Sequence, residues 1–167
     1  MARTFLDEIV TYPQKAVNLI GNCQKCVGLL VNKPFEGITD EDCDLAFERH
    51  LFTYQFVDST TQVATGYVWA EVDIPSIQNQ RIKDLRLYIT VACHKQFMNL
   101  DRAVHPGMAG NRRDNLVCHI DKLLNFNDLF GIGKLTMKSV KTVNAPHGFV
   151  IKEIEYEIPN FNYRRLE

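Results

Sequence analysis

Apolar residues recur every three or four positions in two segments of the chain, which is the spacing of a helix with one buried stripe. The first segment covers residues 13–31, and its stripe runs from Ala16 through Ile20 to Leu30. Pro34 follows this segment, and the residue before a proline avoids helical geometry. The pattern therefore predicts one continuous helix over residues 13–31.

The second helical stripe lies between Leu116 and Leu124. Asn111 precedes it and is a favourable N-cap, because its side chain can accept a hydrogen bond from the first turn. A shorter helix is predicted over residues 40–49, since Thr39 followed by Asp42 resembles a capping box with Asp in the place of Glu or Gln. The chain thus carries two main helices and one short one.

Strict alternation of apolar and polar residues, the signature of a strand, is clearest at residues 85–93. Segments 51–57 and 63–74 precede it, and segments 135–143 and 149–158 follow it as a hairpin. Short connections between these strands favour antiparallel pairing with the helices packed on the sheet. We therefore expect an α+β fold, a mainly antiparallel β-sheet flanked by two main α-helices.

Residues 1–167 are predicted to form a single domain, with a long loop at about residues 97–111 and a C-terminal hairpin. In the last strand the apolar phase changes between Ile151 and Ile154. Such a change indicates a bulge or a strand buried on both faces.

Composition narrows the class of protein. Hydrophobic residues make up 46% and charged residues 23% of the chain, as in ordinary globular domains. With a net charge of −1, the chain lacks the basic excess of proteins that bind nucleic acid through its phosphates.

The sequence also bears on membrane insertion and compartment. The longest apolar run near the start, residues 26–31, is too short for a membrane span, and Asp7 and Glu8 argue against a secretory signal. Five cysteines then favour a reducing, intracellular compartment.

Cys23 and Cys26 have the C-x-x-C spacing of zinc and redox sites. Zinc would need a second pair of ligands, and the candidates are the adjacent residues Cys93–His94 and Cys118–His119, which point in different directions. Both thiols of the first pair also lie along the predicted helical stripe. Packing in the core is the favoured interpretation, with zinc or redox chemistry as the alternatives.

The sequence gives only weak signals for other catalytic or ligand-binding sites. The acidic residues between Glu36 and Asp44 lie in one hydrophilic stretch, which does not separate their pKa values as acid–base catalysis requires. The glycines at residues 131–133 follow a helix and precede a strand, the reverse of a phosphate-binding loop. No cysteine–histidine pair has a recognisable nucleophile signature. We therefore predict no catalytic residue, no cofactor and no metal, so the protein is not expected to be an enzyme.

Contacts with other proteins are the favoured role of two segments. The long loop carries apolar residues without a helical or strand period, and long irregular loops in compact domains are often functional. Arg112 and Arg113 follow it at a helix start, where positive charge opposes the helix dipole, so the pair is either simply exposed or compensated by an acidic partner on a neighbouring subunit. The terminal segment adds two aromatic residues and further arginines. The predicted interface residues are Met98, Leu100, Val104, Met108, Arg112, Arg113, Phe161, Tyr163 and Arg165.

The chain resembles the small neck and tail-end proteins of tailed bacteriophages, above all tail terminators. The likeness spans most of the chain. The stretches that carry it are Leu19-Ile20 to Leu29-Leu30, Leu51-Phe52-Thr53-Tyr54, Tyr67-Val68-Trp69-Ala70, Leu87 to His94, Asn111 to Leu116, Ile120 to Leu124, Gly131 to Leu135 and Tyr156 to Asn162.

The resemblance implies a virion protein that forms a homohexameric ring on the last ring of the tail tube. Its partners would be other copies of itself, the tail tube protein and a head-side neck protein, with DNA only as passing cargo and no membrane. Host cytoplasm during assembly and the virion afterwards are the implied locations. A head-completion or stopper protein of the same neck is the alternative, and a small intracellular enzyme or adaptor is a second one.

Overall fold

A computed structural model describes residues 6–78, 82–131, 133–146 and 148–159 of the chain. Its helices are α1 (Asp7–Gly21), α2 (Gln24–Val31), α3 (Asp40–Arg49) and α4 (Arg112–Leu124), with 3₁₀ turns at Phe35–Gly37 and Lys95–Phe97. None of these helices is long and apolar enough to cross a membrane.

The prediction of one helix over residues 13–31 is wrong, because the chain turns at Asn22 and Cys23 between α1 and α2. A packing contact marks this corner: a Cβ added to Gly21 would lie 2.2 Å from the Phe47 ring of α3. Only glycine therefore allows the end of α1 to approach α3 so closely. The predicted stop is confirmed, since α2 ends at Val31 and Asn32 takes the left-handed conformation of a C-cap.

The two helix starts predicted from capping residues are confirmed. The Thr39 side chain accepts a hydrogen bond from the Asp42 backbone N–H, and the Asp42 carboxylate accepts one from the Thr39 backbone N–H, so the capping box is complete. Asn111 accepts a hydrogen bond from the backbone N–H of Asp114 at the start of α4. Local capping chemistry alone was sufficient at both positions.

Five strands form one mixed sheet in the order β1-β2-β3-β5-β4. They are β1 (Leu51–Phe52), β2 (Gly66–Gln78), β3 (Ile82–His94), β4 (Thr136–Val143) and β5 (Phe149–Ile158). Only β1 and β2 pair in parallel, so the predicted α+β class and the mainly antiparallel sheet are confirmed.

Two strand predictions need correction. The segment predicted over residues 51–57 contains only the two-residue β1. The strand predicted to end at residue 74 continues through Pro75 to Gln78, because a register shift between Asp73 and Ser76 accommodates the proline.

The sheet buries one face under the helices, and we call this the helix face. Its core includes Val68 and Ala70 of β2, Leu87 and Ile89 of β3, and Ile154 of β5, with residues of all four helices. The opposite side, the open face, carries a second cluster built around Tyr67, Trp69, Ala92, Phe149 and Ile151. β5 pairs with β3 without a register shift, so its phase change reflects burial on opposite faces at its two ends.

Candidate functional site

Arg112 opens α4, yet its side chain is only 2% exposed. Its Nη1 donates to the Leu29 carbonyl at 2.6 Å and its Nη2 to Asn32 Oδ1 at 2.7 Å, while Nε donates to the Phe97 carbonyl at 2.9 Å. The guanidinium also lies 3.9 Å from the centre of the Phe97 ring. One side chain thus joins the end of α2, the turn after β3 and the start of α4.

The electrostatics of Arg112 follow from this position. Leu29 and Asn32 belong to the C-terminal end of α2, where unsatisfied carbonyls and the helix dipole favour a cation. The dipole of α2 therefore offsets the unfavourable dipole of α4. Burial lowers the pKa of Arg112 from its usual value. The prediction that Arg112 is exposed is wrong, because its side chain is buried and bonded within its own chain. An acidic partner on another subunit stays a prediction.

The long loop between β3 and α4 is fastened to the domain. Leu100 and Met108 pack against the main core, and Met98 and Val104 are half-buried. Arg113 makes an ion pair with Asp114 at 2.8 Å. The interface assignment of these residues stays a prediction, and Phe161, Tyr163 and Arg165 lie outside the described residues.

His105, within this loop, is 3% exposed, and neither of its ring nitrogens has a hydrogen-bond partner among the described residues. Its ring lies 4.9 Å from that of Phe35. Burial, and then the charge of Arg112, lower the pKa of His105. The ring is thus held neutral in an apolar contact, and no sequence pattern indicated it.

A cavity of about 540 Å³ lies between the ends of α2 and α3 and the segment after β1. His50 in its wall places Nδ1 2.8 Å from the Gly66 carbonyl, which can only accept, so Nδ1 carries the proton. Burial lowers the pKa of His50. Apolar and aromatic side chains form much of the wall, which suits an apolar group, and Glu48, Arg49, His50 and Thr65 provide its polar part. The lining residues of this aromatic pocket include Leu30, Leu45, Phe52, Phe56, Val63 and Tyr67.

Within the described residues, neither outer edge of the sheet is fully paired with a further strand. β4 pairs only with β5, and it exposes 38% of Met137, 40% of Val140 and 38% of Val143. At the other edge, β1 pairs with β2 only at Val68 and Trp69, so most of the outer side of β2 has no strand beside it. Unpaired edges are sites where another chain can add a strand.

The open face beyond its aromatic cluster is mainly acidic. Glu71 and Asp73 on β2 are exposed, and Glu155 on β5 contacts Arg86 at 3.6 Å. The pKa of Tyr88, also on this face, is raised by burial and then by the carboxylates around it. Such a surface repels DNA phosphates and attracts basic groups.

The C-x-x-C pair lies at the start of α2, directly after the corner between α1 and α2. Cys26 is completely buried in the core, as predicted, whereas Cys23 is half-buried at the N-cap of α2. Within the part of the chain that the structure describes, no group of three or more His, Cys, Asp or Glu residues is placed to hold a metal ion.

Comparison with known protein families identifies a match. The model of the family described as YomW matches residues 24–158, which is most of the chain and includes every strand. No curated protein and no solved structure matches the chain.

Proposed function

The chain belongs to the YomW family, and we propose that it is a structural protein of a tailed-phage neck, a tail terminator that caps the tail tube and joins the tail to the head. Family membership alone assigns no activity. The proposal rests on the resemblance of the sequence to tail terminators and on the surfaces that the sheet leaves free.

The observation that carries the proposal is the pair of free sheet edges. β1 and β4 stand at opposite ends of the strand order. A ring needs a heterologous interface, in which two different patches of one subunit meet on successive neighbours. Edge-to-edge contact between β4 of one copy and the β2 side of the next provides such an arrangement without using the same patch twice.

Apolar surface supports the same arrangement. Met137, Val140 and Val143 lie exposed along β4, while the aromatic pocket and the exposed Val63 lie near the β1 end of the sheet. Burying such groups between subunits stabilises an interface by about 25 cal/mol per Å² of apolar area. Both patches therefore gain from being covered.

The charge of the open face suits DNA as passing cargo. Carboxylates on β2 and β5 outnumber the basic groups among them, so phosphates meet repulsion rather than a binding site. A lumen lined by such a face would let DNA move through the ring without being held.

The test locates the protein in purified particles of a phage that encodes it, by mass spectrometry of intact particles followed by cryo-imaging of the neck. We expect about six copies per particle, as one ring of a hexamer requires, at the head–tail junction. Density on the last tail ring identifies a terminator, and density against the head-side connector identifies a stopper. Absence from particles would overturn the proposal and favour an enzyme or adaptor.

An edge variant gives a sharper test. Val140→Asp places a charge on the β4 edge, where the side chain is already 40% exposed, so the isolated domain should still fold. Buried against a neighbour, the carboxylate would destabilise the ring strongly. We expect unjoined heads and tails from this variant and normal particles from the matched control Val10→Asp, whose position on α1 is 74% exposed. Normal yields of infectious particles from both variants would contradict the edge interface.

A further inference from the structure

Two thiols share the first turn of α2. Cys23 is the N-cap, with φ −92° and ψ 108°, and Cys26 is the third residue of the helix. The first helical hydrogen bond runs from the Val27 N–H to the Cys23 carbonyl at 2.9 Å. The Cys23 side chain makes no capping bond to the helix backbone. The hydrogen bond between the two thiols places their sulfur atoms next to each other.

The corner that carries Cys23 is held in place. The Cys23 N–H donates to the Ile20 carbonyl at 3.1 Å, and the Asn22 N–H donates to the Asn18 carbonyl at 3.1 Å. These bonds join the end of α1 to the start of α2. Cys23 is therefore presented from a fixed backbone rather than from a mobile loop.

The two thiols differ in access. Cys26 is completely buried among core residues, whereas Cys23 is only half-buried. A molecule from solution can thus reach Cys23 but not Cys26. This asymmetry separates an attacking thiol from a thiol that acts only on its neighbour.

The surroundings shift the pKa values of the two thiols in opposite directions, although partial burial alone would raise that of Cys23. A hydrogen bond with the Cys26 thiol, followed by smaller effects of the Cys26 and Lys25 backbone and of the Lys25 ammonium, lowers the pKa of Cys23 to about 6. The bond with Cys23, together with burial, raises the pKa of Cys26. The first turn of α2 contains no acidic residue that would oppose a thiolate. Cys23 is therefore the thiolate at neutral pH, and the thiolate is the nucleophilic form.

We propose that Cys23 and Cys26 form a dithiol that exchanges with organic disulfides, with Cys23 as the attacking thiol and Cys26 as the resolving thiol. This site is separate from the free sheet edges and does not depend on the neck assignment.

The exchange balances in two steps. The Cys23 thiolate attacks one sulfur of the substrate disulfide, so a mixed disulfide forms, the substrate S–S bond breaks and one substrate thiolate leaves. Cys26 then gives up its proton and attacks Cys23 Sγ, which forms the Cys23–Cys26 bond and releases the second substrate thiolate. The protein loses two electrons and the one proton of Cys26. The substrate leaves as two thiolates, of which one can take that proton and the other a proton from water.

The main test uses the full chain as Cys118→Ser, because Cys118 is exposed and would react independently. The protein is equilibrated in graded mixtures of reduced and oxidised glutathione, quenched in acid, alkylated and mapped by mass spectrometry. We expect a Cys23–Cys26 disulfide that reverses when reductant is added. Adding Cys26→Ser should trap glutathione on Cys23, and adding Cys23→Ser should abolish both products.

Two arms distinguish the source of the disulfide. If the reduced protein consumes oxidised glutathione, its substrate is a small-molecule disulfide. If it reduces insulin, its substrate is a protein disulfide. Failure of the reduced pair to react with either would overturn the proposal. So would a Cys23–Cys26 bond that never forms in oxidising mixtures.

A measurement without variants at the pair covers the case in which Cys26→Ser does not fold. At pH 5 the lower pKa leaves Cys23 with far more thiolate than an unperturbed thiol, although a less basic thiolate is also less nucleophilic. The two effects together give about 20-fold faster alkylation than an unperturbed thiol. In the wild-type chain, Cys23 should therefore be alkylated well before the exposed Cys118. Equal rates for the two residues would overturn the assignment of Cys23 as the attacking thiol.

Discussion

The two faces of the sheet use alternate residues of the same strands, yet they meet different surroundings. On β5, Ile154 points into the helix face and is completely buried, whereas the adjacent Glu153 is half-buried on the open face. The helix face is filled by apolar side chains and closed by the bonds of Arg112. The open face combines an aromatic cluster with carboxylates. Stability is therefore concentrated on the helix face, whereas the open face and the sheet edges leave charged groups and unpaired strand edges accessible.

The largest effect is expected from Arg112→Met, which breaks the polar fastening on the helix side. The Leu29 and Phe97 carbonyls and the Asn32 side chain would each lose their buried donor. An unsatisfied buried acceptor costs about 1–3 kcal/mol, so the free energy of unfolding should fall by roughly 4 kcal/mol. Urea unfolding followed by circular dichroism measures this loss.

Arg113→Met is the matched control for that variant. Among the bonds of the described residues, the side chain of Arg113 pairs only with the neighbouring Asp114, whose side chain is 41% exposed. Water can therefore replace the lost partner of Asp114, and Arg113→Met should cost clearly less than Arg112→Met. Equal losses from the two variants would show that Arg112 does not fasten the loop.

The next effect compares the two faces at adjacent positions. Ile154→Ala opens a cavity in the core and should cost about 3 kcal/mol. Glu153→Ala on the open face should change the free energy of unfolding by less than about 0.5 kcal/mol, since no buried bond or cavity is involved. Thermal unfolding of both variants tests the comparison. A large loss from Glu153→Ala would mean that the open face is also part of the stabilising core.

Much of the fold could be predicted from the sequence where the signals are local. The capping residues Thr39 and Asn111 located two helix starts, and the alternation in β3 identified both faces. The break between α1 and α2 was missed because it depends on contact between Gly21 and Phe47, which are far apart in sequence. Tertiary contacts of this kind leave no periodic pattern.

Less of the candidate site could be predicted. The sequence places Arg112 at a helix start, where the dipole argument favours exposure. Its true surroundings are carbonyl groups about 80 residues away at the end of α2, as the pair with Leu29 shows. The reactive position of Cys23 was likewise hidden, because a continuous helix would place it in the apolar stripe rather than at an N-cap.

The smallest effects are expected from pH, and they separate the two regions. Burial lowers the pKa values of His50, His105 and His119, none of which lies on the charged part of the open face. Below their ordinary value of about 6.5 the unfolded chain binds protons that the folded chain does not. Stability therefore falls as the pH drops below that value.

On the open face, Glu157 loses its contribution in the same direction but in a lower pH range. A hydrogen bond with Lys138 lowers the pKa of Glu157 below its ordinary 4.5, so its contribution is present above that value and is lost only as the pH falls further. Acid should thus weaken the protein in two stages, the histidines first.

Melting temperatures measured between pH 8 and pH 3 test this order. His105→Leu should make the decline in melting temperature that begins near pH 6.5 shallower. The reason is that one of the three histidines with a lowered pKa no longer titrates. Lys138→Met should change only the decline below about pH 4.5. If His105→Leu altered the second stage instead, or left the first unchanged, His105 would not be the buried neutral group that its place beside Phe35 and Arg112 requires.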